Sequence, residues 1–159
     1  MRVIDASSMI WAWENYPAAQ MVGFWAWFGS EVSAGRIVIP AVALAEVHHK
    51  APDCGAWLVS KECTVIQVTN QIVQLANSTK MILGIANDSY SAKGVDENDL
   101  FIIATAQAMS VPLISDEGKQ QLPPLNIKNS KIPAVCAISG VGVECMRFLE
   151  YFKASGQIV

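Results

Sequence analysis

The sequence predicts an α/β fold of three layers, a sandwich in which helices cover both faces of a central, mainly parallel sheet. Short runs rich in Val and Ile alternate with longer stretches whose apolar residues recur at helical spacing. The predicted strands are apolar along their whole length, as strands buried on both faces are. Alternation of strand and helix is typical of parallel sheets with helical connections.

Five segments are predicted as strands, in the order RVID (2–5), RIVIP (36–40), CTVIQV (63–68), VPLIS (111–115) and KIPAVCAI (131–138). Helical spacing of apolar residues predicts helices between and after them, over residues 9–35, 41–51, 69–88, 96–110 and 140–156. Ligands of such sheets bind beyond the carboxyl ends of the strands, so the polar residues that follow each strand are the candidates for a site.

A chain of 159 residues is the size of one domain with a substantial core, so we expect a single domain over residues 1–159. Hydrophobic residues make up 52% of the sequence, yet no apolar run reaches the roughly 18 residues of a membrane span. The first residues lack the pattern of a secretory signal. The sequence therefore predicts a cytoplasmic protein without a membrane segment.

The cysteines and histidines do not suggest a zinc site. No two cysteines form a CxxC pair, and His48 and His49 are neighbours that point in different directions on a helix. We expect free cysteines that act as small buried side chains, namely Cys54, Cys63, Cys136 and Cys145.

The net charge of −3, from 11 basic and 14 acidic residues, argues against a protein that grips duplex DNA by neutralising many phosphates. No basic run is present. If the substrate is a nucleic acid, a bound cation must supply much of the local attraction.

Polar residues follow two of the predicted strands. Asp5 ends the first strand and is followed closely by Ser7, while Ser115, Asp116 and Glu117 end the strand VPLIS. Such residues also serve as helix caps and turn residues.

Two helices contribute further acids. Glu46 lies in an otherwise apolar helix start, where it could pair with His49 or Lys50. Asp96 and Asp99 open another helix with the spacing of a capping box. Taken singly, each of these acids has a structural explanation.

Taken together, the acids suggest a metal site. They arise in four different segments whose ends are predicted to meet at the carboxyl edge of the sheet. Carboxylates that crowd together repel one another and resist ionisation unless a cation lies between them. Oxygen ligands suit Mg²⁺ or Mn²⁺.

Four stretches resemble, in this order, the PIN-domain ribonucleases, which include the VapC-like toxins of toxin–antitoxin pairs. The stretches are VIDASSMIWAW, IPAVALAEV, DENDLFIIATAQA and VPLISDE, and they span most of the chain. The closing KIPAVC and the Trp-rich FWAWF resemble a bacterial branch of PIN-like proteins more than the toxins themselves. The resemblance implies a single PIN-like domain.

Carried over residue by residue, the resemblance implies that Asp5, Glu46 and Asp99 are metal ligands and catalytic residues. The neighbouring Asp96 is expected to be a supporting residue that caps the helix.

Ser7 and Ser115 match the hydroxyl residues that lie beside the metal in the family. The fourth acid is open, because Asp116 and Glu117 are adjacent and neighbouring side chains of a strand point in opposite directions. The family pattern slightly favours Glu117 as catalytic, and both acids remain candidates for the metal.

The resemblance implies Mg²⁺- or Mn²⁺-assisted hydrolysis of RNA phosphodiester bonds. The cation would lower the pKa of a water molecule and polarise the phosphoryl group. The expected partners are an RNA substrate, an antitoxin protein and a second copy of the chain.

Two other functions stay open at this point. A metal-dependent phosphohydrolase acting on small molecules is one, because doubly wound sheets serve many activities. The other is a protein-binding module with weak or no catalysis, which would use the aromatic N-terminal third. Its aromatic residues also suit core packing, and they are Trp11, Trp13, Phe24, Trp25, Trp27 and Phe28.

Overall fold

The computed structural model describes residues 1–159 and has a five-stranded sheet in the order β3-β2-β1-β4-β5, with every neighbouring pair parallel. The strands are β1 (Arg2–Ile4), β2 (Ile37–Pro40), β3 (Thr64–Ile66), β4 (Leu113–Ile114) and β5 (Cys145–Met146). Helices connect the strands, and the architecture is consistent with the predicted three-layer α/β/α fold.

Eight α-helices and one 3₁₀ turn accompany the sheet. The helices are α1 (Ala6–Asn15), α2 (Val22–Ser33), α3 (Ala41–Lys50), α4 (Pro52–Ser60), α5 (Asn70–Ile82), α6 (Glu97–Met109), α7 (Ile132–Cys136) and α8 (Phe148–Ser155), and the 3₁₀ turn is Ile127–Asn129. The predicted helix 9–35 is thus two helices, because Pro17 disfavours helical backbone at Tyr16 and ends α1. The helix α4, which has Pro52 in its first turn, was not predicted.

The prediction of the last strand was wrong. The segment KIPAVCAI forms α7, whose first turn contains Pro133. Proline lacks the N–H that a strand inside a sheet must donate, whereas the first turn of a helix tolerates it. The actual last strand, β5, lies in the predicted helix 140–156, which Gly142 interrupts with a φ of +62°.

The core fills the space between the sheet and its helices. A single cluster of 35 buried hydrophobic residues includes both faces of the central strands, among them Val3, Ile4, Val38, Ile39 and Leu113. This burial on both faces explains why the strands are apolar without alternation.

The aromatic segment of α1 and α2 packs into this core. Phe24 and Phe28 are fully buried, and Phe28 stacks on Trp57 with ring centroids 5.8 Å apart. The indole of Trp25 donates a hydrogen bond of 2.7 Å to the backbone oxygen of Tyr16. No tryptophan is among the exposed large hydrophobic residues. Trp25 is thus buried, and the other four tryptophans pack against the core while partly exposed.

All four cysteines are free, as predicted, but only Cys54 and Cys136 are buried; Cys63 and Cys145 are partly exposed. No helix has the length and apolar character needed to cross a membrane.

The order of the strands brings several candidate residues to one edge. β1 lies between β2 and β4, so Asp5 follows the central strand. α3 begins directly after β2, and Ser115 directly after β4. We call this side of the sheet, where the strands end, the carboxyl edge.

Candidate active site

Asp5 is the most constrained of the acids. Its backbone N–H donates a 2.9 Å hydrogen bond to the oxygen of Ile114, which fixes the end of β1 against β4. Its side chain is 3% exposed. Oδ2 accepts hydrogen bonds from the hydroxyls of Ser7 at 2.5 Å and Ser115 at 3.0 Å, whereas Oδ1 has no hydrogen-bond partner. Both serines therefore hold Asp5.

Burial raises the pKa of Asp5 to about 6, against the lowering effect of the two serine hydroxyls. The negative charges of Glu117 and Glu46 raise it further. Both of these carboxylates therefore lie within electrostatic reach of Asp5.

The structure separates the two adjacent acids after β4. Asp116 Oδ2 accepts hydrogen bonds from the Ser8 hydroxyl at 2.6 Å and from the backbone N–H of Phe148 at 3.1 Å, which ties α1 to the start of α8. The charge of Glu117 is among the causes that raise the pKa of Asp5. The hydrogen bonds of Asp116 give it a structural role, and these observations favour Glu117 as the acid beside Asp5.

Glu117 is held at one oxygen only. Its Oε2 accepts a 3.0 Å hydrogen bond from the backbone N–H of Ile132, the first residue of α7. The other oxygen, Oε1, has no hydrogen-bond partner. The helix that replaced the predicted fifth strand therefore positions this carboxylate.

Asp96 and Asp99 form the capping box that their spacing predicted. Asp96 accepts from the Asp99 N–H, and Asp99 Oδ2 accepts from the Asp96 N–H, both at 2.9 Å. Asp96 is exposed and Asp99 is partly buried. The helix cap is thus a confirmed function of both residues.

Asp99 also belongs electrostatically to the site. Burial raises its pKa to about 8; the hydrogen bond from Asp96 lowers it, and the charges of Asp96, Glu117 and Asp5 raise it. Its Oδ1 has no hydrogen-bond partner. We call Asp5, Asp99 and Glu117 the acidic cluster.

Glu46 stands apart from this cluster. It lies in the second turn of α3 and not, as expected, in the first turn. Its Oε1 accepts a 2.5 Å hydrogen bond from Lys50 four residues on, which is the ion pair that the sequence left open as its structural explanation. Its charge still acts on Asp5.

The donor chemistry of the acidic cluster fits a hard divalent cation. Each member uses one carboxylate oxygen for a positioning hydrogen bond and keeps the other without a hydrogen-bond partner. No three Asp, Glu, His or Cys side chains lie close enough together to form a metal-binding group by themselves. A cation here would therefore be bound directly by one or two of these carboxylates and through water by the rest, with substrate phosphates as further ligands, as is usual for Mg²⁺.

Sequence reasoning missed two supports of the site. Ser8 is the partner of Asp116, and Ile132 provides the N–H that holds Glu117. The pair of Lys50 with Glu46 was one of the alternatives that the sequence offered, and the pKa of Lys50 is raised mainly by Glu46 and to a smaller extent by Asp5. Only Ser8 had a signal in the sequence, since it directly follows Ser7.

A family model described as "Domain of unknown function (DUF4411)" matches residues 3–158. No curated protein matches the chain.

Proposed function

The chain belongs to the DUF4411 family, whose description names no function, and we propose from the site itself that the protein is an Mg²⁺- or Mn²⁺-dependent ribonuclease. The observation that carries the proposal is the acidic cluster, in which Asp5 and Asp99 are withdrawn from solvent and the charge of Glu117 raises the pKa of both. Such a group costs free energy unless a cation neutralises it.

The members of the acidic cluster have different roles in holding the cation. Asp5 is the rigid ligand, because two hydroxyls and the β1 backbone fix its orientation. Asp99 and Glu117 approach from helix α6 and from the segment that precedes α7. Ligands that arrive from separate elements define a site in three dimensions, which is what positioning catalysis requires.

Hydrolysis forms a bond between a water oxygen and phosphorus and breaks the bond from phosphorus to the leaving ribose oxygen. A bound cation supplies an activated water and neutralises charge on the phosphoryl group. The oxygens of Asp99 and Glu117 without partners are available to orient that water and to accept its proton. A bound cation would keep Asp99 ionised, because metal binding displaces the proton of a ligand carboxylate.

RNA is proposed as the substrate because of the resemblance to the PIN-domain ribonucleases. The four acids of that resemblance, Asp5, Glu46, Asp99 and Glu117, occur in the matching order. Glu46 is then the peripheral member, which can join the site when Lys50 releases it. The same resemblance supports the proposal that the protein is the toxin of a toxin–antitoxin pair and is held inactive by a protein partner.

The test is a cleavage assay on pooled single-stranded RNA and tRNA with Mg²⁺, Mn²⁺ or EDTA. We expect the wild type to cut RNA only with metal, Asp99→Asn to lose cleavage and Asp96→Asn to retain it. The pair is matched, because each substitution removes one charge from the same capping box while an amide oxygen remains to accept the hydrogen bond. Cleavage of a small phosphate ester without cleavage of RNA would instead favour a small-molecule phosphohydrolase.

A further inference from the structure

Two lysines from different segments lie near the acidic cluster. Lys50, the last residue of α3, forms the ion pair with Glu46, and its side chain is 58% exposed. Lys131 directly precedes α7 and is exposed. Neither residue is in the hydrophobic core, so packing does not explain their positions.

Lys50 belongs to this edge of the molecule by its contacts. α3 packs against both α1, which follows Asp5, and α6, which begins beside Asp99. The hydrogen bond to Glu46 is the main cause that raises the Lys50 pKa, and the charges of Asp5 and Asp96 add to it. The ammonium group therefore lies within the field of the acids.

Lys131 lies beside Glu117, on a segment far from Lys50 in the sequence. Its Nζ lies 3.8 Å from the position that a Cβ atom on Gly118 would occupy, and Gly118 directly follows Glu117. The next residue, Ile132, donates the hydrogen bond that holds Glu117. Lys131 forms no ion pair, so its charge is available to a ligand.

An acidic cluster repels a polyanion, and the chain has no basic run that would attract one. Positive charge beside the cluster is therefore needed to hold the strand on both sides of the reacting phosphate. Two separate lysines can contact a few phosphates of a single strand, whereas proteins that bind duplex nucleic acid neutralise many phosphates. The Glu46 pair is no obstacle, because exposed ion pairs contribute little and exchange partners readily.

We propose that Lys50 and Lys131 bind the phosphates on either side of the scissile phosphate of a single-stranded RNA. This inference rests on the proposed function and names the residues that position its substrate. The strand then crosses the carboxyl edge from the end of α3 to the start of α7. Lys50 leaves Glu46 for the phosphate, which frees the Glu46 carboxylate for the cation.

The test compares Lys50→Met, Lys131→Met and the control Lys153→Met. Lys153 is also exposed and unpaired, but it follows Tyr151, which donates to Glu31 and packs under Arg2 at the opposite edge of the sheet. The probe is a short, labelled single-stranded RNA with a cleavage-resistant phosphorothioate backbone, titrated at several salt concentrations with Mn²⁺ present. Mn²⁺ affinity is measured separately by calorimetry without RNA.

We expect Lys50→Met and Lys131→Met each to reduce the steepness of the plot of log affinity against log salt by about 0.7. This is the value for one phosphate contact on a single strand. Lys153→Met should keep the wild-type slope, and Mn²⁺ affinity should not fall in any variant. Cleavage of ordinary RNA should show a raised KM with little change in kcat, and Lys50→Arg should restore most of the binding.

A wild-type slope in both variants of an enzyme that cuts RNA would overturn the inference and leave the proposed function intact. An equal loss of slope in Lys153→Met would also overturn it, because the lysines would then act only through net charge. Absence of any RNA cleavage by the wild type is the separate result that contradicts the proposed function.

Discussion

Replacing Asp99 by Asn should stabilise the metal-free protein at alkaline pH and leave its stability near pH 4 unchanged. The pKa of Asp99 is raised from 3.8 to about 8 in the folded protein, mainly by burial. Between these two values the folded state binds a proton that the unfolded state lacks, so stability falls as pH rises through this window. The amide of Asn carries no charge and avoids this loss, and its oxygen can still accept from the Asp96 N–H.

The size of the effect follows from the pKa difference. Each pH unit corresponds to about 1.4 kcal/mol, so a difference of roughly four units gives ~6 kcal/mol as an upper limit. Asp99 is partly exposed, and water screens its charge. We therefore expect Asp99→Asn to gain about 2 kcal/mol in the free energy of unfolding at pH 9.

The assay is urea unfolding in EDTA at pH 4, 6.5 and 9 for the wild type, Asp99→Asn and the control Asp96→Asn. Asp96→Asn should keep most of the wild-type pH dependence, because burial is the main cause of the Asp99 shift and Asn is as good an N-cap as Asp. Equal destabilisation of Asp99→Asn at all three pH values would refute the reasoning, since Asp99 would then act only through the capping box.

Three further outcomes are expected. Asp116→Ala should lower the free energy of unfolding by about 1–3 kcal/mol, because it leaves the Ser8 hydroxyl and a backbone N–H without their acceptor. Urea midpoints measure the loss, and unchanged stability would contradict the prediction. Phe28→Ala should lower the free energy of unfolding by about 3–5 kcal/mol, since the ring is fully buried. The folded fraction should keep its Mn²⁺ affinity, and a weaker affinity in fully folded protein would link the aromatic core to the site. Mn²⁺ affinity should rise with pH through the pKa values of Asp5 and Asp99, about 6 and about 8, because the cation displaces their protons. Calorimetry from pH 5 to 9 checks this, and an affinity that does not change with pH would speak against these ligands.

The sequence predicted the strands and helices whose own residues show a clear local pattern. Four of the five strands lie where β-branched runs stand, and the helices α3, α5 and α6 match their apolar periodicity within a few residues. The fifth strand has only two residues, Cys145 and Met146, and its partner β4 defines it more than its own composition does. The segment with Pro133 resembles a strand in composition, and only the missing N–H argues against it.

The site was predictable where its residues directly follow parallel strands of the sheet. Asp5 and Ser115 directly follow neighbouring parallel strands, so their contact follows from the topology alone. The choice between Asp116 and Glu117 was not predictable, because it depends on two backbone N–H groups that lie 32 and 15 residues further along the chain. The position of Lys131 depends on the same unpredicted helix α7.

The most direct test of the acidic cluster is Mn²⁺ calorimetry on the wild type, Glu117→Gln and Asp116→Asn. The two variants remove one charge each from adjacent residues and keep an oxygen that can accept the native hydrogen bonds. We predict that the wild type and Asp116→Asn bind one Mn²⁺ with similar affinity and that Glu117→Gln binds it much more weakly. Absence of binding by the wild type, or equal affinity in Glu117→Gln, would contradict the assignment of a cation to Asp5, Asp99 and Glu117.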